Sequence, residues 1–444
     1  MKKEHFKNLV LVALIITNFM LSQRIFANKK LWLFGYNFFA NMGNNLKNDD
    51  LSTTLHLAVP EKIYVNTGYQ SSRFNFLRTQ DSFEEIYSYV EPIIQSAFSA
   101  PIKNISEVSE DAWHSVLSGK SIYLVYGCDY SSSIYSELIG IKQTNLSVSS
   151  FSHLAINEDG SIFIKDNKNN SYHRITTTST NIKTVIEQIM TENDSVESII
   201  NYSYELNFDK EFGDQKTFIS PLVAVYSSPV ESNTVISENP IIRSNEANTP
   251  VIERILSAFS INPNTVRRYT EADGTLVFVE NNGVLRISQD GVLNFTANDT
   301  GIELSGENTS LVSLARFVDS INAACNSKNE MTVTSSVTQD SQDYTFDYLV
   351  QGFPVKFEER NAVSAKVSGG YLKEYTHILR KYINTQTPII APSFIEALDN
   401  TILSYQDSMK EIHIMKMYPA YNDNLISTEI GQDWYIEIND VIAQ

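Results

Sequence analysis

Residues 274–297 read GTLVFVENNGVLRISQDGVLNFTA. Three runs alternate apolar and polar side chains, separated by Asn282-Gly283 and Asp290-Gly291. Asn-Gly and Asp-Gly readily adopt the left-handed backbone that tight hairpin turns require. Alternation then fixes the register, because a slip of one residue would turn every apolar side chain to water. An antiparallel meander is predicted here, and its apolar face must be covered. TSLVSLARFVDSINAAC follows with helical spacing and is expected to pack on it.

The same signals recur along the chain. KIYVNTG and RFNFLRT read as strands around a glycine turn. DSFEEIYSYVEPIIQSAFSA reads as a helix with a capping box at Ser82 and Glu85 and a kink at Pro92. SEDAWHSVLSG is a second helix, and KSIYLVYG is too apolar for an edge strand. Hairpins are expected at Asp159-Gly160 and at residues 168–170, and helices in NIKTVIEQIMTE and TPVIERILSAF. Strands are expected at about 331–338, 344–351, 362–368 and 371–379. A helix capped at Ser393 and Glu396 and two closing strands complete the chain. The fold class is α+β, with antiparallel sheets and helices packed to one side. At 444 residues two or three extracytoplasmic domains are expected. We divide the chain into a tip and anchor at 1–30, a stalk at 31–59, an α+β domain at 60–226, a linker at 227–248, a meander domain at 249–328 and a last α+β domain at 329–444. The halves share an outline of strands plus covering helix, without a sequence period.

Residues 1–30 carry six basic residues against Glu4, a net of +5, so the remainder holds −23 of the total −18. An acidic body repels nucleic-acid phosphate and anionic lipid. The motifs of zinc hydrolases, serine hydrolases, dithiol redox sites and nucleotide-binding loops are all missing. His5, His56, His114, His153, His173, His377 and His413 are too scattered in sequence to suggest a metal pair. The carboxylate pairs Asp49-Asp50, Glu84-Glu85, Glu110-Asp111 and Glu358-Glu359 read as solvated loops or helix first turns. Cys128 and Cys325 are expected as buried thiols, a disulfide being the alternative. Trp113 is expected in a core, and Trp434 either packs or offers a stacking platform. No catalytic residue, cofactor or metal site is expected, and an exported body without such motifs suggests binding or regulation.

Leu9–Ala27 as a helix would span about 28 Å, roughly the hydrocarbon thickness of a bilayer. Lys2, Lys3 and Lys7 place the N-terminus in the cytoplasm. Arg24, Trp32 and Tyr36 would lie at the outer interface. The competing reading is a signal peptide cleaved after Ala27. Both readings export the body.

NLVLVALIITNFMLSQRIFANKKLWLFGYNFF resembles the N-terminus of the YycH family, through the membrane segment, Leu31-Trp32 and Gly35 to Phe39. PEKIYVNTG and AWHSVLSGKSIYLVYG resemble that family's N-terminal domain. The segment around Gly352, Pro354 and Val355 resembles the C-terminal domain shared with YycI, and QDWYIEIND suits its closing strand. The resemblance implies a single-pass membrane protein with an extracytoplasmic body. It would modulate the WalK (YycG) sensor histidine kinase, which controls cell-wall turnover, with a YycI-like co-regulator as partner. Contact with the kinase would run largely through the membrane helix, where Thr17, Asn18 and Ser22 could hydrogen-bond across the interface. A homodimer is also compatible with it. The alternatives are an exported module binding peptide or wall fragments in a Tyr- and Phe-lined pocket, and an envelope hydrolase.

Overall fold

The meander forms as its sequence demands. Leu276–Glu280, Gly283–Ile287 and Val292–Ala297 pair antiparallel, with Val277, Leu285, Ile287 and Leu293 buried. The computed structural model describes residues 57–68, 73–177, 182–192, 200–206, 210–212, 215–243, 246–304, 310–338, 340–358, 360–405 and 411–439. Helices Thr249–Ala258 and Ser310–Ala324 cover the meander. Phe259, Phe295, Phe317 and Tyr375 meet there, edge-on or tilted, at ring separations of 5.0–5.9 Å. Such pairings suit the ring quadrupole and add to the area they bury.

A seven-stranded sheet forms the N-terminal lobe. Its order is Arg73–Leu77, Lys62–Thr67, Lys120–Tyr130, Phe151–Asn157, Ile162–Asp166, Ser171–Ile175, Ile105–Val108. Helix Asp81–Phe98 lies on the face that carries Ile63, Val65, Ile122 and Leu124, together with helices Ser132–Leu138 and Ile182–Glu192. Helix Glu110–Ser118 takes the other face and packs Trp113 and Leu117 against Tyr64 and Tyr123. The expectation of helices on one side is thereby corrected, because alternate residues of the central strands are apolar or aromatic on both faces. Trp113 is in the core as expected.

The expected cap of the first helix is also corrected. Gln80 is its N-cap residue, and Gln80 Oε1 accepts from the Leu77 amide at 2.9 Å rather than from the helix, while Ser82 lies inside the first turn. Pro92 sits within a helix that continues to Phe98. By contrast, Ser109 and Ser393 do cap their helices, accepting from Ala112 N and Glu396 N.

Thr54–Gln444 is one compact unit by its internal contacts. Strand pairing shows why. Val292–Ala297 of the meander pairs with Tyr371–Ile378, across the position chosen for a domain boundary at 328. Gln215–Ile219 runs parallel to Glu411–Asn422, which joins residues before 226 to the end of the chain. Residues 227–248, expected as a linker, instead supply Glu231–Glu238, a strand between Lys381–Ile390 and Glu429–Ile430. Its polar composition suits a strand that buries only Val235 and Ser237 fully. The C-terminal strands Glu411–Asn422 and Gln432–Asn439 pack under helix Phe394–Tyr405.

Candidate functional site

In an anchored protein, whatever the membrane segment does must reach the body where the chain joins it. That junction is described from Leu57 onward. Three tyrosines from three elements hold it. Tyr130, at the end of strand Lys120–Tyr130, donates its hydroxyl to the Leu57 carbonyl at 2.7 Å. Tyr135 of helix Ser132–Leu138 donates to the Ala58 carbonyl at 3.2 Å, and Tyr87 of helix Asp81–Phe98 donates to the same oxygen at 3.3 Å. Leu57, Ala58 and Val59 pack against the core below.

The local sequence explains how these hydroxyls come together. The register of the strand breaks between Val125 and Tyr130, which swings Tyr126 and Tyr130 into a cluster with Tyr135 and Phe151. Because Tyr135 donates to Ala58, its oxygen is left to accept from Tyr126 at 2.7 Å. Burial pushes the pKa of Tyr87, Tyr126, Tyr130 and Tyr135 well up, so all four keep the protons they donate.

From this latch the strand end continues into the central sheet. Ser131 N donates to Val337 O at 3.0 Å, and Val337 N donates to Asp129 O at 2.7 Å. Gly127 allows the close approach, since a Cβ there would meet Glu61 Oε1, Thr332 Oγ1 and Val333 O at 2.2–2.8 Å. The Gly-x-Pro-Val stretch packs at the end of strand Arg73–Leu77. Gly352 takes φ +80° and leaves no room for a Cβ beside the Leu77 Cβ, 2.6 Å away. Phe353–Lys356 then runs parallel to the end of Glu411–Asn422. The arrangement holds the entering chain against the sheet and brings together no nucleophile with a base.

Thr17, Asn18, Ser22, Arg24, Trp32 and Tyr36 lie outside the described residues, as does the segment Leu9–Ala27 expected as an anchor. Among the described residues no helix is long and apolar enough to cross a membrane. None of their His, Cys, Asp and Glu groups is placed to hold a metal. Cys128 and Cys325 are buried free thiols, as expected; burial pushes both pKa values up, that of Cys325 to about 12. Trp434 packs rather than presenting a platform. It is 8% exposed, lies edge-on to Phe394 and donates Nε1–H to Pro392 O at 2.7 Å. Sequence reasoning missed the latch. Its trace is the tyrosine-rich run YLVYGCDYSSSIY, of which the pattern marks only the part in KSIYLVYG, as a buried strand.

The crystal structure of YycH from Bacillus subtilis aligns with this chain at a TM-score of 0.58, covering 86% of this chain and 94% of that one. The chain has the fold of YycH. Identity to YycH is 13%, so the likeness is one of architecture, and it matches the resemblance drawn from the sequence. A crystal structure of an uncharacterized protein from Eubacterium rectale ATCC 33656 covers 51% of this chain and 82% of that one, at 12% identity and a TM-score of 0.29. No family model and no curated protein matches the chain.

Proposed function

We propose that this chain is a membrane-anchored, extracytoplasmic regulator of a WalK-like sensor histidine kinase that controls cell-wall turnover. The observation that carries the reading is the likeness to YycH over most of both chains. The basic tip and the apolar run at Leu9–Ala27 supply an anchor with the N-terminus in the cytoplasm. In this reading the helix packs beside the kinase's membrane helices. Asn18, costly to face toward lipid, bonds across that interface with Thr17 and Ser22 nearby. A YycI-like protein is the co-regulator, and the body steers the helix through the residues that the latch holds. The reading assigns no enzymatic step to the chain.

Asn18→Leu and an anchor-swapped chain test it. Transcription of the kinase's cell-wall targets should change in both, while the unfolding midpoint of the body stays put. Unchanged transcription in both variants would remove the membrane helix from the mechanism. The same strains report the anchor directly: an intact Met1 in the membrane fraction is expected, and a soluble form beginning at Asn28 is the contrary result.

A further inference from the structure

A second site lies where the N-terminal sheet meets the C-terminal strands. Lys62 pairs with Val125, and Val125 with His153, so the three form a row across neighbouring strands. Tyr418 and Tyr435 are cross-strand partners with rings 5.2 Å apart. Lys62 Nζ lies over the Tyr418 ring at 5.0 Å. Lys356 Nζ lies 4.8 Å from the Tyr435 ring centre and 5.8 Å from that of Tyr418. Two ammonium groups thus share one tyrosine. More positive charge stands close by. Burial, against the opposing pull of Asp129, and then Lys165 and Lys416 hold the His153 pKa down to about 4.

Most of the negative groups nearby are otherwise engaged. Asp347 bonds Lys356 Nζ at 2.6 Å and also accepts from Asn361 and the Ala362 amide. Asp129 accepts from Ser150 and Asn167, and Glu437 pairs with Lys416. Burial lowers the Lys62 pKa and the nearby charge of Glu61, next to it in sequence, opposes this, with Glu61 Oε1 lying against Gly127. Lys62 is 6% exposed, and among the described residues its ammonium has no hydrogen bond or ion pair. Lys62 Nζ is not sealed from solvent, so an anion can reach it. This convergence also runs against a formal net charge of −18.

We infer that this seam binds an oxyanion, a phosphate or carboxylate group of a small ligand, through Lys62 and Lys356 over the Tyr418–Tyr435 pair. The ligand supplies the acceptor that Lys62 lacks. Charge-assisted bonds to both ammonium groups would tie Lys62–Thr67 to the C-terminal strands.

Inorganic phosphate and acetate, each compared with sodium chloride at matched ionic strength, are the probes. The readouts are the thermal midpoint and calorimetric titration of the full chain in detergent. At least one anion should raise the midpoint beyond chloride, as ligands of the folded state do. Lys62→Met should weaken that anion about tenfold or more, the loss of one charge-assisted bond, while Lys366→Met, at an exposed strand position, keeps wild-type affinity. A response to phosphate alone assigns a phosphate ligand, and one to acetate alone a carboxylate. A midpoint that follows ionic strength only, or a Lys62→Met chain that binds as well as wild type, overturns the site. Titration of the unaltered chain decides without a variant, since no saturable heat from either anion also overturns it.

Discussion

His377 shows how one side chain sets a pH dependence. It is fully buried between Tyr375, whose hydroxyl lies 2.8 Å from Nδ1, and Tyr348, whose hydroxyl lies 2.8 Å from Nε2. Tyr348 donates to the Ile378 carbonyl at 2.9 Å, so its oxygen accepts from Nε2–H and Tyr375 donates to Nδ1. The neutral ring is fully used, and burial drives its pKa down to about 3. The unfolded ring titrates near 6.5, so between these values the unfolded chain binds the extra proton. This contribution is complete above about pH 6.5 and falls by about 1.4 kcal/mol per pH unit on acidification toward 3. Urea unfolding at pH 7.5 and 5 should show about 2 kcal/mol of loss from this group, and His377→Gln should flatten the slope by one proton; an equal slope in both chains would place the titration elsewhere. Lys356 and Asp347 make a second residue-scale case. Asp347 is fully buried, while Lys356 is partly exposed. Lys356→Met should cost about 3–5 kcal/mol by stranding the carboxylate. Lys356→Met combined with Asp347→Asn should recover much of that in denaturant melts, because the stranded charge is then gone.

At the scale of elements, the tyrosine latch and the glycine beside it make opposite predictions. Tyr130→Phe removes one hydroxyl from the Leu57 carbonyl and should cost about 1 kcal/mol. If the latch couples anchor to body, kinase output changes far more than that small loss explains, and a reporter strain alongside a thermal melt separates the two. Gly127→Ala pushes a methyl into Glu61, Thr332 and Val333, and about 1–3 kcal/mol of overpacking is expected in the same melt. Element by element, the sequence was a good guide where side-chain periodicity and turn chemistry agreed. The meander, the hairpin around Asp159-Gly160 and the helix capped at Ser393 are all present. Lys381–Ile390 was not foreseen as a strand, because it packs little and its apolar residues do not alternate with burial. The latch and the lysine seam were illegible for a different reason. The latch joins residues 29 to 77 positions apart, and the seam brings Lys62 to Tyr418; only the tertiary fold brings them together.

The whole molecule was the scale at which sequence reasoning failed most. Local patterns mark strands, but they do not say that Gln215–Ile219 will lie beside Glu411–Asn422, or that the meander will extend into Tyr371–Ile378. Because these pairings interleave the expected domains, the body should unfold in a single transition, with calorimetric and van't Hoff enthalpies in agreement. Two resolved transitions would show that a smaller piece is stable alone. The latch has a mechanical consequence as well. A pull on the chain at Leu57 first loads three hydroxyl contacts and then reaches Lys62–Thr67, which has a neighbour on each side. Antiparallel ladder bonds lie across the strand, so tension along it shears them together instead of unzipping them singly. Under force this body would slip at its tether by a few residues and then hold, a fuse in series with a much stronger link.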